Sequence, residues 1–260
     1  MTVFETLIFE KTGRIARVTL NRPEVLNIHN MAMRDDLFEV LSAIREDDEV
    51  RVVLFKGAGE KAFCAGADLK EFLTAPPPTT ARDVRFDADL WNLFTQMPQP
   101  LIAAVHGYCL GSGIEIALCC DLVLSSEDAK FGLPEVGLGI IPAAGGTQTV
   151  PRAAGNGLAL EMMLTNRWID AAEALRIGLV NRVVSRDRLL TEAEESADRI
   201  AAHDPMVVRS AKQAVLRGLD LSLDQGLELE RRLALRIKPM MTLNPTLAIN
   251  NKKRKANEHH

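Results

Sequence analysis

Two isolated carboxyls, Glu115 and Glu135, stand in apolar, glycine-rich surroundings. Glu115 lies in Gly113-Ile114-Glu115-Ile116-Ala117-Leu118, and Glu135 in Gly132-Leu133-Pro134-Glu135-Val136-Gly137. A carboxylate taken out of water loses hydration, so its pKa rises and it can hold or release a proton near neutrality. The two positions are separated by one expected helix and one expected strand, and a compact fold can bring both to one cavity. Paired carboxyls suit proton transfer beside a carbonyl, one activating water and the other delivering a proton to carbon. Plainer explanations stand beside this one. Ser112-x-x-Glu115 fits a capping box in which Glu115 reaches back to the Ser112 backbone. Glu135 fits a loop carboxylate paired with an arginine.

Two strand-to-helix junctions have a related make-up. Phe63-Cys64-Ala65-Gly66-Ala67-Asp68-Leu69-Lys70 follows one apolar run, and Gly107-Tyr108-Cys109-Leu110-Gly111-Ser112-Gly113 follows another. A helix start exposes unpaired N–H groups at its positive end, and small side chains let a ligand atom approach. Two such turns can supply two donors to one oxygen, as an oxyanion hole does, provided that both converge where negative charge develops. Taken locally, tight helix entry without any function explains such turns more often than an oxyanion hole does. Neither turn matches G-x-x-x-x-G-K-[ST] or G-x-G-x-x-G, which argues against a phosphate loop. Cys64 and His106 lack a third group that would make them a nucleophile and base, and structural roles are expected for both. His29 and His203 are isolated, no metal-ligand spacing occurs, and no metal is expected.

The elements that must position these groups alternate. Thr6 to Glu10 and Ile15 to Leu20 flank Lys11-Thr12-Gly13-Arg14 and predict an opening hairpin. Met33, Leu37, Val40, Leu41 and Ile44 fall at helical spacing within Met31 to Arg45. Strands are expected at Val50 to Phe55, Leu101 to Val105 and Leu122 to Leu124, with a helix at Ile114 to Cys120; this is α/β alternation. Ala75-Pro76-Pro77-Pro78-Thr79-Thr80 cannot continue a helix and reads as a flap before a helix at Val84 to Phe94. Amphipathic runs Arg188 to Ala202, Pro205 to Leu216 and Leu223 to Ile237 predict a C-terminal helical layer or oligomer contact, and Asn250 to His260 a polar tail. The division expected is a core over residues 1–195, a helical region over 196–249 and a tail over 250–260.

Composition narrows the class. The chain has 260 residues, 47% hydrophobic and 25% charged, with a net charge of -4; this is a globular make-up without the basic excess that nucleic acid demands. Its four cysteines form no C-x-x-C pair, and Cys119 and Cys120 adjoin in an apolar run, which fits a reducing compartment such as the cytoplasm. Neither a signal peptide nor a membrane span is read.

From about Phe4 to Lys238 the chain resembles the enoyl-CoA hydratase/isomerase (crotonase) family. The resemblance rests on Leu20-Asn21-Arg22-Pro23 with Leu26-Asn27, on the Phe63 to Lys70 segment, on Val105-His106-Gly107 through Glu115 to Cys120-Asp121, and on Phe131-Gly132-Leu133-Pro134-Glu135 followed by Pro142 to Gln148. It implies a spiral of repeated ββα units and a C-terminal helical region that trimerises, often as a dimer of trimers. It also implies that the N–H groups of Ala67 and Ser112 bind a thioester oxygen, that Glu115 activates water and that Glu135 protonates the α-carbon. Val25, Leu26, Ala65, Asp68, Leu69 and Lys70 correspond to the edge of the coenzyme A site, where a lysine suits phosphate. No cofactor is implied, because coenzyme A is part of the substrate. Two glutamates favour hydration of a trans-2-enoyl-CoA. Rival readings are a double-bond isomerase, a decarboxylase, a hydratase of cyclic or dienoyl thioesters, or a coenzyme A-binding protein without turnover. The sequence departs from the family pattern at Ser112 and Ala143, where glycine is common, at Asn27-Ile28-His29-Asn30, and in the tail after Thr242.

Overall fold

A computed structural model describes residues 4–72 and 89–243. The expected flap, residues 84–88 of the expected helix, and the tail lie outside the described residues. The chain divides into two compact units, Met1–Ala202 and His203–His260.

The first unit opens with the hairpin β1 (Leu7–Thr12) and β2 (Ile15–Leu20). Helix α1 (Met31–Glu46) follows; Asn30 caps it by accepting the Met33 N–H at 2.9 Å, and it buries Met33, Leu37, Val40, Leu41 and Ile44. After it the chain repeats one plan. β3 (Val52–Gly57), β5 (Leu101–Val105) and β7 (Leu122–Ser126) enter one sheet, and the strands after each, β4 (Ala62–Cys64), β6 (Tyr108–Leu110) and β8 (Lys130–Gly132), enter a second. The second strands of the first two turns lead into α2 (Leu69–Phe72) and α4 (Ser112–Leu118), with α3 (Leu90–Gln96) preceding β5. The third leads into a 3₁₀ turn, Pro134–Leu138, and then α5 (Gly146–Ala154) and α6 (Asn156–Thr165). β9 (Ile169–Asp170), α7 (Ala171–Arg176), β10 (Arg182–Val184) and α8 (Leu189–Ala201) complete the unit.

The larger sheet has the order β1-β2-β3-β5-β7-β10 and the smaller β4-β6-β8-β9. All pairs are parallel except β1 with β2 and β8 with β9. Successive ββα turns therefore climb side by side as a spiral. The central strands are buried on both faces, as parallel sheets require. Val53, Phe55, Ala103 and Val105 join the core that includes Phe63, Cys109 and Phe131. Val52, Leu54, Ile102 and Ala104 meet Leu189, Ala193, Ala197 and Ala201 of α8. Small residues every four positions let α8 lie close to the sheet.

The second unit contains α9 (Pro205–Gly218), capped by Asp204, and α10 (Leu223–Leu243), which pack on each other. Leu219 and Leu223, at the turn between them, are both 78% exposed. Among the described residues no helix is long and apolar enough to cross a membrane.

Candidate active site

The two junctions meet at one point. Gly111, between β6 and α4, has φ 49 and ψ −120, and it donates its N–H to Gly132 at 2.9 Å. A β-carbon there would fall 2.5 Å from Glu135 Oε1 and 3.5 Å from the α-carbon of Gly66 in the other junction. Position 111 is thus open to glycine alone, on grounds of both φ and space. Gly113 is similarly confined, since a β-carbon would strike the Cys64 carbonyl at the end of β4.

The first junction is set by the preceding loop. His29 donates its N–H to Gly66 at 2.8 Å and accepts the Asp68 N–H at 2.9 Å, forming a parallel bridge with Ala67. Neither the Ala67 N–H nor the Ser112 N–H donates to another backbone group among the described residues. Ser112 is the first residue of its helix, where unpaired N–H groups are inherent.

Glu115 is 2% exposed. Its Oε1 accepts the N–H groups of Ala144 and Gly146, both at 2.9 Å. Burial raises the Glu115 pKa, and the two N–H bonds to the ionised form work against that rise. The capping-box reading is corrected: Gly111 occupies the cap position, and the carboxylate is taken by the turn 144–146 instead of the Ser112 backbone. Glu135, in the 3₁₀ turn, has a buried Oε2 with no partner among the described residues, so the arginine pairing expected of a loop carboxylate is not found there. Burial, followed by the nearby charge of Glu115, raises its pKa to about 7.

Ala67, Ser112, Glu115 and Glu135 all line one cavity of about 600 Å³. Its other walls are mainly apolar, including Trp91, Ile140 and Ala143. Of the residues matched to a coenzyme A edge, Asp68 lies on this wall. Val25, Leu26, Ala65, Leu69 and Lys70 are not on it. Ala65 N–H donates to Leu26 at 3.0 Å, and Lys70 N–H donates to Asp68 Oδ1 at 3.1 Å. Cys64 and His106 are buried and off the wall. Burial pushes the Cys64 thiol up to about 12 and His106 down to about 4.

Sequence reasoning assigned no role to three residues here. Asn27 is fully buried at φ 56; its Oδ1 accepts the Arg22 N–H, and its Nδ2 donates to Ala58 and Ala62, all at 2.9 Å. These bonds fix the loop that presents His29. The His29 ring lies on the cavity wall, 5.9 Å from the ring of Trp91. Burial, then the Arg34 charge, lowers its pKa to about 4, so it is neutral. The signal available for Asn27 was its type, since asparagine tolerates left-handed backbone better than most residues. His29 was marked only within Asn27-Ile28-His29-Asn30, where the sequence departs from the family pattern, and nothing local marked Trp91.

The family model described as enoyl-CoA hydratase/isomerase matches residues 10–242. A probable enoyl-CoA hydratase of Rhizobium meliloti (strain 1021) is 44% identical over 233 residues, 88% of each chain. The short-chain-enoyl-CoA hydratase of Clostridium acetobutylicum is 42% identical over 224 residues, 86% of each chain. The crystal structure of an enoyl-CoA hydratase from Bacillus anthracis superposes with a TM-score of 0.89 at 38% identity, covering 95% of this chain and 97% of that one. Spiral, cavity and relatives agree: the chain belongs to the enoyl-CoA hydratase/isomerase family.

Proposed function

We propose that this protein is an enoyl-CoA hydratase, adding water reversibly and syn across a trans-2-enoyl-CoA to give a 3-hydroxyacyl-CoA. The observation that carries the reading is the pair of carboxyls, with different surroundings, on the wall shared by two glycine-set helix-entry turns. In this mechanism the thioester oxygen accepts the N–H groups of Ala67 and Ser112. Glu115 takes a proton from water as the oxygen bonds to C3, negative charge moves onto the thioester oxygen, and Glu135 delivers its proton to C2. A buried acid with a pKa near 7 is suited to that delivery. Preorganised amides stabilise the enolate without reorganisation.

Lys70, Val25, Leu26, Ala65, Asp68 and Leu69 are assigned to coenzyme A. The reaction needs no further cofactor or metal. The exposed apolar residues of the second unit support assembly of three or six chains, and we place the protein in the cytoplasm. The test is loss of enoyl absorbance with crotonyl-CoA: Glu115→Gln and Glu135→Gln are each expected to lower kcat by about 10² to 10⁴. Full turnover in both variants would sink the assignment.

One observation favours a rival substrate. The His29 and Trp91 rings side by side on the wall offer a face to a cyclic or planar acyl group. A panel of cyclic and branched enoyl-CoA esters, compared by kcat/KM with crotonyl-CoA, decides between them.

A further inference from the structure

We propose that Trp91 sets an upper limit on acyl length, standing as a partition between the catalytic cavity and a second cavity into which a longer acyl chain would otherwise run. The proposal deepens the hydratase reading, and its kinetic test rests on that reading. The second cavity has a volume of about 350 Å³ and is walled by Asn92 and Thr95 of α3 and by Gly145, Thr147 and Gln148 at the start of α5. Asp89, Trp91, Ala143 and Ala144 line both cavities, so the indole and the turn before α5 divide one from the other. The indole is fixed by its neighbours. It stacks on the ring of Phe94, a core residue, with centroids 6.1 Å apart, and it meets the His29 ring at 5.9 Å.

The course of the acyl chain follows from the catalytic groups. With the thioester oxygen at the Ala67 and Ser112 amides, C3 lies at Glu115, whose carboxylate is gripped by the N–H groups of Ala144 and Gly146. The carbons after C3 therefore run beside the turn that carries Ala143 and Ala144. Arg34, Asp68 and Glu71 are charged parts of the cavity wall, whereas Trp91, Ile140, Ile141 and Ala143 form an apolar part. Hydrocarbon follows the apolar part, and that course meets Trp91. Beyond the indole the lining is mainly polar, so the second cavity offers a long chain space rather than affinity, and what the indole imposes is a clash. One methylene too many in a closed pocket costs about 10- to 200-fold in kcat/KM. Trp91 and Thr95 are four residues apart in α3 and share a helix face. Thr95 lines the second cavity and not the first, so a large side chain at 95 can close the space that a smaller residue at 91 opens.

The experiment compares kcat/KM for crotonyl-CoA, trans-2-hexenoyl-CoA and trans-2-decenoyl-CoA in the full chain. Wild type is expected to favour crotonyl-CoA over decenoyl-CoA by about 10-fold or more. Trp91→Leu is expected to raise the decenoyl-to-crotonyl ratio by about 10-fold, and Trp91→Phe by less. Thr95→Phe alone is expected to leave crotonyl-CoA hydration unchanged, and in the Trp91→Leu background to cancel the gain. A general loss of packing at Trp91 lowers turnover of every ester alike and is not reversed by Thr95→Phe. A wild type that handles decenoyl-CoA as well as crotonyl-CoA overturns the proposal, as does a ratio unmoved in both Trp91 variants. Calorimetry with the saturated esters butyryl-CoA and decanoyl-CoA reads the same limit without turnover: wild type is expected to bind decanoyl-CoA about 10-fold more weakly, and Trp91→Leu to close that gap. Equal affinities in wild type overturn the proposal by this route also. A chain inactive on every enoyl ester that still shows the gap defeats the hydratase reading and leaves the length limit standing.

Discussion

Glu135 and Glu115 are the same residue type in one cavity, yet their hydrogen-bond surroundings push them toward different tasks. Two backbone N–H donors hold Glu115 toward its ionised form, whereas a buried Oε2 without a partner among the described residues leaves Glu135 with a pKa of about 7. Hydration requires Glu135 protonated and Glu115 ionised. The kcat/KM for hydration is therefore expected to fall as pH rises through about 7, where Glu135 loses its proton, and to fall again at low pH as Glu115 gains one. Dehydration of the 3-hydroxyacyl-CoA starts from the other tautomer, with Glu115 protonated and Glu135 ionised; the total number of protons is the same, so its kcat/KM is expected to show the same two limbs. Comparing the hydration profile of wild type with that of Glu135→Gln checks the pair, and a limb near pH 7 that persists in Glu135→Gln would contradict the assignment of Glu135 as the acid.

Short backbone elements carry the site, and they tolerate little change. Gly111 sits at φ 49, where an added β-carbon meets Glu135 Oε1. Gly111→Ala is expected to cost about 1–3 kcal/mol in backbone strain. Its larger effect is to displace Glu135, and a misplacement on the order of 1 Å is enough to lower kcat about 10²-fold. Steady-state kinetics beside a circular dichroism spectrum separates displacement from unfolding. Asn27 is different, since it touches no cavity atom. Its three buried hydrogen bonds hold the loop before α1, and Asn27→Ala is expected to lower stability by about 2–4 kcal/mol, read from urea midpoints. A midpoint unchanged from wild type would show that the loop is held by other contacts.

For the whole molecule, the cavity acids and the buried histidines pull stability in opposite directions with pH. The folded-state pKa of Glu135 is about 7 against an ordinary value of 4.5. Between those values the folded chain binds a proton that the unfolded chain has released, so this group's contribution declines as pH rises. His29 and His106 behave oppositely: their folded values of about 4 lie below the ordinary histidine value of 6.5, and their contribution grows as pH rises between these values. Glu135→Gln removes one term. Relative to wild type, this variant is expected to gain about 1–2 kcal/mol between pH 5 and 7, after a discount for the solvent that reaches Glu135. Denaturant titrations at the two pH values measure the difference, and a gap that does not grow with pH would show that the carboxyl is already ionised at pH 5.

The sequence alone determined what depends on local pattern. Helical spacing of Met33, Leu37, Val40, Leu41 and Ile44 marked α1, and the expected strands at Ile15 to Leu20 and Leu101 to Val105 coincide with β2 and β5. Family-specific motifs around Glu115 and Glu135 indicated the spiral and the reaction class. The second sheet was not legible, because its strands are only two or three residues long and give no periodicity to read. Tertiary structure also decided the fate of Glu115. The local pattern Ser112-x-x-Glu115 allowed a capping box, whereas the N–H groups that bind its carboxylate belong to residues 29 and 31 positions away. The meeting of Gly66, Gly111 and Glu135 depends on β4, β6 and β8 lying side by side in parallel register. That register is set by cross-strand pairing, which a single sequence does not display.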